Sequence, residues 1–389
     1  MAMTEADGDE PVVEAERSVM DGLFGGVGRS DPHAVLRGAA IPGASYAFVY
    51  EVLHDRRFAA PTVPESSDLI IQLLARFMPR LPPERHAVVR RRFAGLFSAR
   101  RVGSYREVVQ ARSSALIDAM ALSGAGDLVE LFAAPLPFGV IANVLGVDSD
   151  RHEWLRSSMA ILGRGFAGQR SRAPVEAGNT AAADMVAFFD DLLSRRAREP
   201  RDDLVSVLAE EQSTGQERAD LVANCLFFIL AGHATTTTML CAGLDLLLAD
   251  PTHLDRLRQD ETGWDRAVEE ILRYVSPITL TGVKATVDVV VAGHHIAAGA
   301  QRIVAYAAAN RDPAVFADPD AFDPWRSPNP HLAFSAGTTF CLGAPLARLH
   351  GTVALPMLVQ RLPRLRLDGP PTWRGSTPVR QVESMTATW

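Results

Sequence analysis

Cysteine is scarce: the 389 residues contain three, Cys225, Cys241 and Cys341. Three scattered thiols make no disulfide framework, which excludes the small stapled secreted folds and fits a reducing, cytoplasmic compartment. Positive charge is also in deficit. The formal net charge is −7 and the pI is near 5.8, which argues against a nucleic-acid binder. The opening "MAMTEADGDEPVVEAERS" is acidic and lacks the basic-then-apolar order of an export signal. No apolar run reaches the roughly 18 residues of a membrane span. The most apolar stretch, residues 221–230, soon meets Gly, His and Thr. Repeats and low-complexity linkers are absent too. The expectation is a protein off the membrane, with residues 1–25 a disordered N-terminal segment and residues 26–389 a single domain.

What is present is apolar and helical. The chain is 47% hydrophobic and 22% charged, ample for a large core. "AERSVMDGLF", "DLIIQLLARFM", "REVVQARSSALIDAMAL", "TAAADMVAFFDDLLSRRA" and "GTVALPMLVQRLP" space their apolar residues by three and four, as amphipathic helices do. Strand candidates are short: "DVVVAGHHIAAGA" reads as a hairpin, and pieces of the C-terminal tail read as strands. "GQRSRAPVEAGNT" (168–180) is the most loop-like interior segment. The fold class expected is mainly α with a small β region.

The most informative segment is "HLAFSAGTTFCLGAPLARLHG", residues 331–351. Phe334, Gly337, Cys341 and Gly343 follow F-x-x-G-x-x-x-C-x-G, and a helix follows at once. Backbone N–H groups at a helix start favour an anion, so Cys341 is a candidate thiolate. A thiolate is the ligand that pushes electron density onto haem iron. The competing reading is a buried structural cysteine.

This loop resembles the haem-ligand signature of the cytochrome P-450 family, and other segments agree in the family's order. "AVEEILRY" carries Glu270-x-x-Arg273, and "ANRDPAVFADPDAFDPWR" follows it. "LPPERHAVVRRRF" places His86 and Arg90 one turn apart. "GDLVELFAAPLPFGVIANVLGV" and "DDLVSVLAEEQ" precede the long helix as in soluble bacterial members. The resemblance covers roughly residues 30–389. It implies the family's triangular helical prism with a small β region and haem b (iron protoporphyrin IX) as cofactor. Cys341 would be the metal ligand, with Phe334, Gly337, Thr339, Gly343, His86 and Arg90 around the haem. Glu270, Arg273 and Arg326 would form a structural triad.

In the same family a long helix crosses the haem's open face with the pattern A-G-x-(Asp or Glu)-Thr. Here "AGHATTTTML" places Ala231, Gly232, His233, Ala234 and Thr235 there. Gly232 thins the helix. Thr235 is the expected oxygen-side hydrogen-bond donor, and a threonine hydroxyl could widen the helix locally. Thr236, Thr237 and Thr238 read as packing or back-bonding residues, and His233 as packed away. Ala234 replaces the usual acid, so protons would arrive through water, Thr235 or the substrate.

Two further positions depart from the family. Thr339 stands where a His or Arg contacts a propionate, and Val283 where an Arg does, with Lys284 on the opposite strand face. Weaker haem retention follows, unless other cations fill in. "IPGASYAFVYEVLHDRRF" (41–58) looks short of a strand pair. Substrate lining is expected from Phe228, Ala231, Ile278 and Leu280, which suits a largely apolar natural-product (secondary-metabolite, antibiotic-type) skeleton. The resemblance implies a monooxygenase supplied by a ferredoxin and ferredoxin reductase, catalysing hydroxylation, epoxidation or oxidative cyclisation or coupling. The alternatives are peroxide, nitric oxide or rearrangement chemistry, prompted by Ala234, and a non-catalytic accessory protein.

Overall fold

A computed structural model describes residues 12, 14–16, 41–167, 171–210, 215–260, 262–374 and 378–389. The disorder expected over 1–25, and the helix expected at 15–24, fall largely outside them. Glu16 is described and buried, and its carboxylate accepts the Ile303 N–H at 3.2 Å.

The described residues form two compact units. One comprises Met1–Pro61, Arg106–Pro135 and Ala234–Trp389; the other comprises Thr62–Tyr105 and Leu136–His233. Both are mainly helical. Local chemistry sets many helix starts. Ser45 caps Tyr46–His54 by accepting the Phe48 N–H, and Asp250 caps Pro251–Gln259 by accepting the Thr252 N–H. Proline at the first helical position of the latter has no N–H to lose there.

In the second unit, helices His152–Ala167 and Arg172–Arg198 pack closely. A Cβ on Gly165 would lie 3.1 Å from the Cα of Gly178, so only small residues allow that approach. A buried ion pair, Arg196 to Asp203 at 2.6 Å, closes the far end of the longer helix. The loop expected over 168–180 is corrected here: from Arg172 onward the chain is helical. Pro174 stands in the first turn, where its missing N–H breaks no bond, so proline and glycine misled the reading.

In the first unit, the helix Gly263–Val275 buries Trp264, Ala267, Val268, Ile271 and Leu272. Helix Ala344–Arg361 packs on it and on Arg106–Ala121. A π-helical turn covers Val129–Ala133, where the Ala134 N–H reaches back to the Val129 carbonyl. Pro135 and Pro137 follow and lack the N–H groups a regular register needs.

The β structure is minor and short-stranded. β1 (Phe58–Ala59), β3 (Thr281–Ala285) and β6 (Gln301–Val304) form one sheet in the order β1-β3-β6. β2 (Ala125–Asp127), β10 (Thr386–Thr388) and β7 (Arg366–Leu367) form another. The hairpin expected near 288–300 is present as β4 (Val289–Val291) and β5 (His294–Ile296). Its turn residues Ala292 and Gly293 both have positive φ, 46° and 81°, the geometry of a tight two-residue hairpin. β8 (Thr372–Trp373) pairs with β9 (Val382–Ser384). Within 41–58 the chain makes a 3₁₀ turn (Pro42–Ala44), a helix and β1.

The expectation that no segment is long and apolar enough for a membrane is corrected by helix Gly215–Ala249, which passes that test by length and composition. Most of its apolar window, 61%, is buried inside the protein, as befits a core helix.

Candidate functional site

The three cysteines separate by environment. Cys225 and Cys241 are buried in the Gly215–Ala249 helix. Burial pushes the Cys225 thiol up to about 12 and raises that of Cys241 as well, so neither is a nucleophile or ligand near neutral pH. Cys341 is exposed on a loop.

That loop is rigid for local reasons. Leu332 N–H donates to Asn310 Oδ1 at 2.6 Å, and Cys341 N–H donates to the Phe334 carbonyl at 2.9 Å. Ser335 and Gly337 take positive φ, 62° and 58°. A Cβ at Gly337 would collide with the Leu53 carbonyl oxygen, so glycine is required there on two counts. Gly343 has ordinary dihedrals; a Cβ there would come within 3.8 Å of the Cys341 sulfur. Helix Ala344–Arg361 begins immediately after it.

Thr339 is engaged within its own loop. Its hydroxyl donates to the Ala336 carbonyl at 3.0 Å and meets Ser335 Oγ at 2.8 Å. A hydroxyl has one proton, and the loop has used it. Thr339 therefore ties its own loop together through Ser335 and Ala336.

Glu270 and Arg273 are fully buried. Arg273 donates to both Glu270 oxygens, at 2.7 and 2.8 Å. Arg326 Nε reaches Glu270 Oε1 at 3.2 Å. The Asp323 N–H and Asn329 Nδ2 complete the carboxylate's shell at 3.0 and 3.1 Å. Arg273 also donates to the carbonyls of Asn310, Pro319 and Ala321. The buried pair and the partly buried Arg326 are thus met by a surplus of acceptors, the condition for tolerating buried charge. The cluster holds the segment that leads into the cysteine loop.

His86 and Arg90 lie one turn apart on helix Pro83–Ala94, both half-buried. Burial, then the charge of Arg90, lowers the His86 pKa, so its imidazole is neutral at neutral pH. The same helix is tied by Arg85 to buried Asp220, bidentately at 2.6–2.9 Å, and by Arg92 to Glu217 at 2.6 Å. These tethers were missed from sequence, which shows the arginines but not the distant acids that meet them.

Helix Gly215–Ala249 is α-helical throughout. The widening expected at Thr235 is not there; among the described residues the π turn is at 129–133 instead. Ala231 to Thr235 are partly exposed, whereas Thr236, Thr237 and Thr238 are buried. Thr238 donates to the Arg380 carbonyl at 2.7 Å, a tertiary bond rather than back-bonding. His233 meets the Phe138 ring edge-on at 5.7 Å. A Cβ at Gly232 would touch nothing closer than Ile141, at 3.9 Å.

Two of the expected lining residues are buried among apolar neighbours. Phe228 is buried in an aromatic stack with Phe93 and Phe97, at 4.6 and 5.1 Å. Leu280 is buried with Ile41, Ile303 and Ala305. Ala231 and Ile278 keep accessible surface.

Val283 packs against the apolar cluster of Phe48, Val52 and Leu332. Directly opposite it on β6 stands buried Arg302. An arginine at 283 would put like charges across the ladder, which is unfavourable. The departure at 283 therefore has a partner on the next strand, invisible without the register.

The family model for cytochrome P450 matches residues 168–262 and 264–368. This chain is a cytochrome P450. It is 35% identical to the biotin biosynthesis cytochrome P450 of Bacillus subtilis, over 86% of this chain and 87% of the relative. It is 38% identical to 6-deoxyerythronolide B hydroxylase of Saccharopolyspora erythraea, over 78% and 75%. Among solved structures, P450BioI in complex with an acyl carrier protein ligated to hexadec-9Z-enoic acid aligns with a TM-score of 0.83 and 32% identity, covering 89% of this chain and 91% of that one. The fold is the P450 fold, the enzyme class is oxidoreductase of monooxygenase type, and the cofactor is haem b. The residues present fit that group. The exposed cysteine, on a loop held by its own hydrogen bonds and by the close approach of Gly337 to the Leu53 carbonyl, is the donor a haem-thiolate needs.

Proposed function

We propose that this P450 oxidises a largely apolar natural-product intermediate, by hydroxylation, epoxidation or oxidative cyclisation or coupling. The observation that carries the reading is the single exposed cysteine, Cys341, on its braced loop. The relatives' names support the substrate class: they include 6-deoxyerythronolide B hydroxylase and mycinamicin IV hydroxylase/epoxidase. Residues 26–389 are read as one domain, because neither unit is continuous in sequence and both share helix Gly215–Ala249. A cytoplasmic location and a ferredoxin with its reductase as electron donors belong to the same reading.

Haem, when bound, supplies the oxygen-activating centre. Cys341 holds it through sulfur, with Phe334, Gly337 and Gly343 shaping the loop. His86 and Arg90 would hold its carboxylates. Glu270, Arg273 and Arg326 brace the loop from behind. With haem bound, Thr235 would offer a hydroxyl for oxygen chemistry, Gly232 would leave room beside it, and Ala231 and Ile278 would present apolar surface to substrate. Ala234 carries no proton, so delivery runs through water, Thr235 or the substrate.

The test is turnover with ferredoxin, reductase, NADPH and oxygen on macrolide precursors and carrier-tethered acyl chains. Oxygenated product supports the reading. Ala234 favours a second one: turnover with peroxide alone, and none with the electron-transfer chain, would establish different haem-thiolate chemistry. An accessory role without catalysis would require that no haem-thiolate form after reconstitution.

A further inference from the structure

Glu269 is the chain neighbour of Glu270 but faces other partners. Arg348, on the helix after Cys341, donates from Nε and Nη2 to its two oxygens at 2.7 and 2.8 Å. His331 Nε2 meets Oε2 at 3.1 Å. The Ala333 N–H donates to His331 Nδ1 at 3.2 Å, so the ring proton belongs on Nε2 and His331 donates to Glu269. The Arg348 guanidinium lies over the Phe334 ring, 4.7 Å from its centroid. Phe334, in turn, accepts the Cys341 N–H through its carbonyl.

One carboxylate therefore gathers both ends of the cysteine loop: His331 from its start and Arg348 from the helix that follows. Burial would raise the Glu269 pKa, but hydrogen bonds from Arg348 and His331 outweigh it and hold the acid at about 2. The pair is charged across the working pH range. Arg348 is stabilised in its charged form first by Glu269, and a Cys341 thiolate acts in the same direction. Its guanidinium packs on Phe334, the residue whose carbonyl holds the Cys341 N–H, so the cation stands on the residue that braces the cysteine.

We propose that Arg348 and Glu269 are positioning residues that form a charge-balanced clamp on the cysteine loop, with Arg348 setting the field at the Cys341 sulfur and Glu269 offsetting it. The proposal rests on the reading that Cys341 is the haem ligand. A cation beside a thiolate draws electron density from it and favours the reduced state of the metal it holds. A bare carboxylate does the reverse. A merely structural clamp would show no such opposition of sign.

The experiment is spectroelectrochemical titration of the holoenzyme, with the reduced carbon-monoxide spectrum of each variant. Glu269→Gln leaves Arg348 uncompensated and shifts the reduction potential upward. Arg348→Gln leaves Glu269 uncompensated and shifts it downward. The double variant returns toward the parent. Arg348→Lys keeps the charge but loses the planar fork and the ring contact; it retains the parent potential while forming more of the carbon-monoxide complex that lacks the thiolate band. Shifts of the same sign in both single variants, or none, overturn the clamp. If Arg348→Gln does not hold haem, Glu269→Gln and Arg348→Lys decide: an unmoved potential in the first, or an altered one in the second, overturns it. A parent protein with no thiolate band overturns the haem-thiolate reading itself.

Discussion

The Glu270 cluster and the 231–238 stretch of helix Gly215–Ala249 are built on opposite principles. In the cluster Glu270 and Arg273 are buried, Arg326 is partly buried, and every oxygen of Glu270 is used more than once. In the helix stretch four hydroxyls stand in a row, only the last three are buried, and the one residue expected to ionise is alanine. The first region tolerates no change because each partner is needed to offset another's desolvation. The second stretch carries no buried charge and is partly exposed from Ala231 to Thr235, and it is there that this chain departs from the usual family pattern. The contrast is between a buried charge cluster, where each group offsets another's desolvation, and a neutral stretch, where no such offset is needed.

The contrast is broken most directly by Arg273→Ala. Leaving Glu270 buried with one cation fewer costs about 3–5 kcal/mol. Thermal unfolding in matched buffers should fall sharply, with little soluble haem protein; a variant as stable as the parent would mean the cluster is not saturated.

The next largest effect separates structural from functional histidine. His350 is fully buried, and its Nδ1–H donates to the Leu346 carbonyl at 2.8 Å. Its Nε2 has no partner among the described residues. Burial lowers its pKa from 6.5 to about 4. The unfolded chain binds the proton more readily, so the stability held above pH 6.5 is lost as pH falls toward 4, up to about 3 kcal/mol. His350→Leu should flatten that limb in denaturant titrations at stepped pH; an unchanged slope would assign it to other groups.

Within the threonine stretch, Ala234→Glu should change the ratio of product to NADPH consumed, since a carboxylate can relay protons and a methyl cannot. Unchanged coupling would make the alanine incidental. Thr238→Val should cost about 1 kcal/mol through the lost bond to Arg380 and leave coupling alone, whereas Thr235→Ala should disturb coupling and leave stability alone. Equal behaviour of the two would erase the distinction drawn from burial. The smallest effect concerns the sheet: Val283→Arg should destabilise by roughly 0.2–1 kcal/mol against Arg302, and Arg302→Val should relieve it. Additive effects in that double-variant cycle would remove Arg302 as the reason for valine.

What could be read in advance followed from spacing. Amphipathic helices, the 289–296 hairpin and the Glu270-x-x-Arg273 pair are local patterns. What could not be read depended on distant partners. Phe228 stacks on Phe93 and Phe97, which lie far from it in sequence. The Thr339 hydroxyl proved to be spent inside its own loop, and Arg302 met Val283 only through sheet register. Glu269 passed unnoticed because, in one dimension, it is merely the residue before Glu270. Residues 172–180 show the opposite failure: Pro and Gly there suggested a loop, although a helix's first turn accommodates them.

The central claim is that Cys341, and not either buried cysteine, holds the haem. The reduced carbon-monoxide spectrum of the reconstituted protein tests it, measured beside Cys341→Ser. The account predicts the long-wavelength Soret band of a thiolate-ligated haem in the parent and its loss in the variant. The same band in both proteins, or its absence from the parent, would contradict it.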